Sequence, residues 1–452
     1  MPATAPPKLP SFLAASAALP GADDWTAASR DAAREIAEGL GLPDRRNEAY
    51  RFTNLKALES IDFVAPTGET SFPQDEIFRY SIPNLEKRTL VFLDGTFLPE
   101  PSHGLDGLPD GVTAARMTDA VRDHRELVER HLGKLTDKTD DVFAAANASG
   151  FTDGLFVHVA EGVSCDRPFH LLFLSTGDHD PYVAHSRNLI VAEAGASVTV
   201  VEHYASASDD AVYFNNSVTE IVAAENARVD HYLLQKESEA AFNMAGLYIH
   251  QSRESDVHSH TVMLGAKIAR NAVSPVLAGE KAHCLINGLY VAHGEQVHDN
   301  AMFVVHDAED CASRQFYKGI LNGRSRGVFT GRIRVTPQGQ LTDAVQSNRN
   351  MLLSDDARSN ARPQLEIYAD DVKCTHGCTT GEVDPEAVFY FRSRGLPEDK
   401  ARAMLIYAFA AEGFQRMELI PVREWLAAEM IAKLPGAEDL SIEVGESPLD
   451  TD

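Results

Sequence analysis

The chain has 452 residues, three times a typical ~150-residue domain, so two or three structural units with an ordinary core are expected and no staples are needed. Lys plus Arg number 41 against 67 Asp plus Glu, a net charge of −26, which repels phosphate backbones and anionic lipid and excludes nucleic acid and membrane surfaces as main partners. Five scattered cysteines (Cys165, Cys284, Cys311, Cys374 and Cys378) argue against a disulfide framework, and neither a signal-type N-terminus nor 18 consecutive apolar residues occurs, so the chain reads as soluble and cytoplasmic.

Residues 1–20 are rich in Pro and Ala and are expected to fray. Asp23-Asp24 opens a helical stretch, Trp25 to Leu40, closed by Gly41 and Pro43. Pro, Gly and acidic residues dominate 62–76 and 94–111, which read as loops around short strands such as Thr89 to Leu93. A second helical zone, about 118–147, carries alternating charges from Arg122 to Arg130, the pattern of a solvated helix face. Together these make a mainly helical unit, 1–150.

From Phe151 the helical period is lost and short β-rich runs separated by Gly, Asn or Asp take over. They include Phe156–Val159, Phe169–Leu174, Ser197–Tyr204, Val229–Leu234, Val257–Leu264, Leu285–Val291 and Val328–Val335. Similar units recur: Gly195-Ala196-Ser197-Val198 and Asn226-Ala227-Arg228-Val229 each lead into a strand. A drifting period of 20–30 residues favours a β-solenoid over a sandwich, whose units are less uniform. This core unit spans 151–390.

The helical period returns after Arg394-Gly395-Leu396. Pro397 suits a first helical position, and Met404, Tyr407, Ala408 and Ala411 follow at i, i+3, i+4 and i+7 on one face. Pro421 starts a second helix through Trp425 and Met430, and the tail after Gly436 is acidic. The third unit is 391–452, so the class is mainly β with helical flanks.

The common motifs exclude more than they assign. No G-x-x-x-x-G-K-[ST] is present, so the chain cradles no nucleotide by a P-loop of its own. Gly323-Arg324-Ser325-Arg326-Gly327 matches a nucleophile elbow, but the strand-like Val328–Val335 follows where a helix is required, and a basic hairpin turn is the better account. Thirteen of seventeen histidines lie between His158 and His306. His258-x-His260 is the nearest to a ligand pair, yet Thr261–Gly265 supplies no following acidic ligand, so these histidines read as polar positions on a solenoid surface.

Asp370 to Cys378 is the most chemically loaded segment. If it is extended, Cys374, His376 and Cys378 point to one face, a soft donor set suited to iron or zinc, with Lys373 near enough to help hold a thiolate. Three protein ligands leave one tetrahedral position for a partner. A buried cysteine beside an incidental histidine accounts equally for the spacing.

Residues 311–412 resemble SufD subunits of the SUF iron–sulfur cluster assembly scaffold. The resemblance rests on Ser313 to Gly319, Gly327 to Ile333, Pro363 to Cys374 and Phe389 to Gly395, with Arg45 to Thr53 similar to the family's N-terminal signature. It implies a right-handed parallel β-helix flanked by N- and C-terminal helical domains, and a non-catalytic scaffold role. It also implies pairing with the paralogous SufB through the β-helices and docking of the ATPase SufC through the C-terminal helices, here Pro397, Met404, Tyr407, Ala408 and Ala411. ATP hydrolysis is then supplied in trans. Lys373-Cys374-Thr375-His376-Gly377 is SufD-like, whereas SufB-like chains carry a His-Glu-Ala stretch there. The resemblance places the histidine matching His376 at the SufB interface, where with a SufB cysteine it takes part in forming a transient, shared cluster, and Cys374 matches a family cysteine. Cys378 departs from the family's usual alanine, as a spare ligand or a small buried residue. A stand-alone metal-dependent β-helix enzyme and a SufB-like homodimeric scaffold are the competing readings.

Overall fold

Runs rich in β-branched and aromatic residues, cut every ten residues or so by turn formers, stack here as parallel strands, one coil above the next. The computed structural model describes residues 11–14, 24–68, 72–136, 140–177 and 180–434. Most of the Pro/Ala-rich N-terminal stretch and the whole acidic tail after Gly436 lie outside the described residues. Ser11–Ala14, expected to fray, is a helical turn that buries Phe12.

From Leu155 onward, successive strands alternate between two sheets. The first sheet stacks Arg88–Leu93, Phe169–Ser175, Ser197–Ser206, Arg228–Lys236, Asp256–Met263, His283–Ala292, Ala312–Leu321, Asp343–Leu352 and Lys373–Glu382 in that order, all parallel. The second stacks Leu155–Val159, Val183–Ala192, Phe214–Ala223, Phe242–Gln251, Ile268–Leu277, Val297–His306, Arg326–Val335 and Arg358–Ile367. The result is a parallel β-solenoid of about 8 turns. The coil length is set by register: Val257 pairs with Cys284, 27 residues on, and Ser313 with Ala344, 31 on.

Residues stacked in register form rows along the lumen. Val198, Val229, Val257, Cys284, Ser313, Ala344 and Cys374 make one such row. Phe92, Phe173 and Tyr204 stack face to face in another, with ring centroids 4.8 and 4.6 Å apart. Tyr290 and Tyr317 fit inside only because Gly319 and Gly288 lie beside them. A Cβ on Gly319 would come within 2.3 Å of the Tyr290 ring, and one on Gly288 within 2.1 Å of Tyr317.

In six consecutive coils one corner is a rung of backbone hydrogen bonds. Gly195, Asn226, Glu254, Lys281, Asp310 and Leu341 all adopt φ between +54° and +67°. Each donates its N–H to a carbonyl one coil further on, at 2.7–3.0 Å. Gly323-Arg324-Ser325 forms a corner on the opposite side, joining strands of different sheets, so it is not the hairpin that its sequence suggested. Ser325 is fully buried there and its hydroxyl donates to the Ala292 carbonyl, which rules it out as a nucleophile.

The N-terminal helices (Ala27–Leu40, Met117–Asp123, Arg125–His131 and Val142–Gly150) cover the outer face of the second sheet, where Phe12, Phe63 and Phe143 pack on Phe214 and Phe242. An ion pair beneath them, Arg187–Glu220 at 2.6 Å, is fully buried, and both terminal nitrogens of the guanidinium and both carboxylate oxygens are hydrogen-bonded. Arg187 donates to Thr136 and Asn147, and Glu220 accepts from the Gly133 and Leu135 N–H groups. Thr96–His103, expected to be loop, is an antiparallel strand; Pro99 and Pro101 are tolerated because it forms the sheet's outer edge. The C-terminal helices begin at Pro385, earlier than residue 391, and comprise Pro385–Ser393, Glu398–Phe414 and Ile420–Lys433. The last two pack on Tyr232, Val262, Leu289 and Ile320 of the first sheet. No helix among the described residues is long and apolar enough to cross a membrane.

Leu341 is the one large apolar residue at the left-handed corner positions, and it is 46% exposed. An L-residue there costs roughly 1–2 kcal/mol, partly offset by the backbone entropy lost with glycine, so Leu341→Gly should stabilise the fold by about 0.5–1 kcal/mol in chemical denaturation. A lowered midpoint would mean that the Leu341 side chain contributes packing that outweighs its strain.

Candidate functional site

The two ends of the solenoid differ. At the N-terminal end, antiparallel strands Thr96–His103 and Val112–Arg116 finish the two sheets. At the C-terminal end, Lys373–Glu382 and Arg358–Ile367 are edge strands, and no described strand pairs with their outer sides. Lys373–Glu382 is ten residues long and largely exposed, a row of free backbone donors and acceptors.

This edge strand carries the Cys/His segment. Its register sets Ala344 beside Cys374, Gln346 beside His376 and Asn348 beside Cys378. All three side chains therefore continue rows of the lumen, and the expected single face is the mouth of the solenoid. Cys374 and Cys378 are half-buried against the last layer of core, while His376 is exposed. The layer below is polar and ordered: Gln346 donates to Gln315 at 2.9 Å, and Asn348 donates to the Tyr290 hydroxyl at 3.1 Å.

Alternate side chains on a strand start ~6.6 Å apart, and their donors meet only where the rotamers turn them toward one another. Cys374, His376 and Cys378 are not among the described groups whose donor atoms converge. They form a line of three donors facing outward, which a second molecule could complete. Burial pushes both thiols up from the ordinary cysteine range, and Lys373 alternates to the opposite face, so it does not activate them.

The histidine-rich stretch is mostly interior. His170, His185, His203, His231, His258, His260, His298 and His306 are all buried, which corrects their reading as surface positions. The helical flanks and the lumen cover them, a long-range effect that composition does not reveal. His258 and His260 do share a face, but His260 stacks on Tyr232 at 4.9 Å, and its burial lowers its pKa to about 3. Two groups do assemble around His258, one with Asp230 and Glu418 and a second with Asp256 and His283. In the second, the acidic member stands two residues before His258, not after it, and the other imidazole comes from the next coil.

The stripe on Glu398–Phe414 divides. Tyr407 and Ala411 are buried in the contact with the first sheet, Met404 is half-buried, and Pro397 and Ala408 are exposed. The preceding helix presents Phe389 and Tyr390, 71% and 55% exposed, which sequence reasoning had not singled out as a surface.

Comparison with known proteins adds the family context. Residues 173–409 match the family described as SUF system FeS cluster assembly, SufBD core domain, and residues 21–171 match the SufBD protein N-terminal region. An iron–sulfur cluster assembly SufBD family protein of Synechocystis is 36% identical over 86% of this chain and 87% of its own length. The iron–sulfur cluster assembly protein SufD of Escherichia coli is 31% identical over 88% and 90%, and that of Bacillus subtilis 27% over 91% and 94%.

The raised thiols give a direct chemical prediction. Near neutral pH, iodoacetamide should alkylate Cys374 and Cys378 more slowly than an unstructured peptide thiol, with rates that climb as pH rises into the alkaline range. Site-resolved mass spectrometry reads this. Faster alkylation than the peptide would show that the thiols are activated in the isolated chain.

Proposed function

We propose, since this chain belongs to the SufBD family and is SufD-like within it, that it is the subunit of a SUF assembly whose C-terminal solenoid end completes a cluster-building site against a paralogous chain. A scaffold role in iron–sulfur cluster assembly follows from the family, and the cluster is cargo. The finer reading is supported by one observation above the others. The Cys374–His376–Cys378 line of donors lies on an unpaired ten-residue edge strand and does not converge by itself.

A β-helical partner of the SufB type could add a strand to that edge, taking its affinity from main-chain hydrogen bonds and its alignment from side chains at alternate positions. The same approach would bring the partner's donors to the lumen mouth. His376, the exposed member, supplies a nitrogen ligand that binds as soon as it is neutral, whereas each thiol must first lose a proton. Mixed imidazole and thiolate ligation suits a cluster held transiently, and Cys374 and Cys378 then act in support. Iron itself would lower the thiol pKa on binding, so donors that are inert alone become ligands when metal arrives.

SufC-type ATPase docking belongs on the C-terminal helices. Exposed Pro397 and Ala408 with half-buried Met404 offer contacts, and Phe389 and Tyr390 on the preceding helix form an aromatic patch beside them. Tyr407 and Ala411 act from beneath, fixing the docking helix to the first sheet. The chain has no P-loop, so nucleotide chemistry comes from the docked subunit. A cytoplasmic setting fits free thiols held for metal chemistry.

The test is His376→Ala in the full-length chain, expressed in its own cytosol under anaerobic conditions and recovered by affinity tag. The variant should copurify with the same paralogue and ATPase as the parent while iron–sulfur content in the complex and activity of dependent enzymes fall. Cys374→Ala should have the milder effect. Unchanged cluster yield in His376→Ala would remove that residue from the site, and recovery of the parent as a homodimer would favour a self-paired scaffold.

A further inference from the structure

We propose that Asp256, His258 and His283 form a resident site for one divalent transition-metal ion, zinc or iron(II), on the outer face of the first sheet. It is separate from the lumen mouth and shares no residue with it. Asp256 and His258 are alternate residues of strand Asp256–Met263 and so share its outer face, and His283 pairs directly with Asp256 from the next coil. Three backbone positions are thus fixed by the sheet ladder, not by a loop.

The side chains converge on one point. His258 Nε2 lies 3.1 Å and His283 Nδ1 lies 2.6 Å from the same Asp256 Oδ1, and all three donor atoms are within 4.8 Å of one another. Donors around a four-coordinate zinc ion, bound at ~2.0–2.1 Å, stand roughly 3.3 Å apart. The observed 2.6 and 3.1 Å are hydrogen-bond distances, so small side-chain rotations that part the donors would open the shell. Two imidazoles and one carboxylate select borderline metals over magnesium or calcium, which prefer all-oxygen sites. The rim is open, with the His283 side chain 40% and that of Asp256 33% exposed, so solvent can fill the remaining positions.

The other nitrogen of His258 supplies an independent observation. Nδ1 is buried and turned toward Asp230 at 3.4 Å, with Glu418 at 4.0 Å. A metal-bound imidazole characteristically turns its second N–H toward a carboxylate, and this is the orientation held here. The local charges agree. Asp230, Asp256 and Glu418 carry three negative charges and Arg228 one positive, so with neutral imidazoles the cluster has two uncompensated negative charges.

The location says what such an ion would do. Glu418 lies between helices Glu398–Phe414 and Ile420–Lys433 and also pairs with Arg228 of the sheet. A cation at Asp256–His258–His283 would therefore tighten the joint between the C-terminal helices and the solenoid.

The experiment uses the full-length chain carrying Cys374→Ser, His376→Ala and Cys378→Ser, so that failure here is separable from failure of the lumen-mouth reading. After chelation, cobalt(II) is titrated anaerobically as the spectroscopic probe, and zinc and iron(II) are measured by elemental analysis after desalting. One equivalent should bind, without a thiolate charge-transfer band, with a rise in Tm and release of protons. His283→Ala, at a half-exposed position, should keep the parent's circular dichroism and lose that equivalent. Glu418→Gln, outside the ligand shell, should weaken binding by roughly tenfold. No binding of any of the three metals by the parent, or equal binding by His283→Ala and Asp256→Asn, would overturn the site.

Discussion

In-register stacking of parallel coils is the constraint from which the rest of the molecule follows. Each side chain must be compatible with the one a coil below it, because the ladder places them in direct contact. Aromatic rings respond by stacking, as Phe92, Phe173 and Tyr204 do, or, like Tyr290 and Tyr317, by lying over a glycine of the adjacent coil. The corner rung imposes a left-handed backbone on residues as unsuited to it as Glu254 and Leu341. The same stacking cannot end without leaving an edge. In this chain the N-terminal edges are antiparallel strands, one of them carrying Pro99 and Pro101, and the C-terminal edges are parallel strands of the last coil.

That C-terminal edge explains why the Cys/His segment stands where it does. A coil in the middle of the solenoid buries its inward residues under the next coil. The last coil exposes them, so Cys374, His376 and Cys378 are lumen residues with nothing above them. The donor atoms of these three residues do not converge in the chain by itself. The chain belongs to the SufBD family of iron–sulfur cluster assembly, and under the function proposed above a second chain would complete this set of donors.

Local chemistry was legible in the sequence, and long-range packing was not. The strands announced themselves through β-branched runs and Gly or Asn turns, and alternation alone predicted that Cys374, His376 and Cys378 share a face. Period two also placed His258 and His260 together, but what covers them depends on helices 150 residues further on, and His260 proved to be core. The apolar stripe through Tyr407 and Ala411 could face a partner or the chain's own sheet, and periodicity does not distinguish the two. Thr96–His103 was hidden by prolines that only an edge strand accepts. The Asp256–His258–His283 group was invisible because its members are 27 residues apart and meet through register, which a motif search cannot see. The Arg187–Glu220 pair was hidden for the same reason.

The central claim is that the edge strand Lys373–Glu382 is where a second β-helical chain attaches. Amide hydrogen exchange of the full-length chain, alone and with its copurified paralogue, measures this at single-segment resolution. The account predicts that amides of Lys373–Glu382 exchange fast in the free chain and become strongly protected in the complex, with no comparable change in the antiparallel N-terminal strands. Equal exchange of that strand in both states, with protection elsewhere, would contradict it.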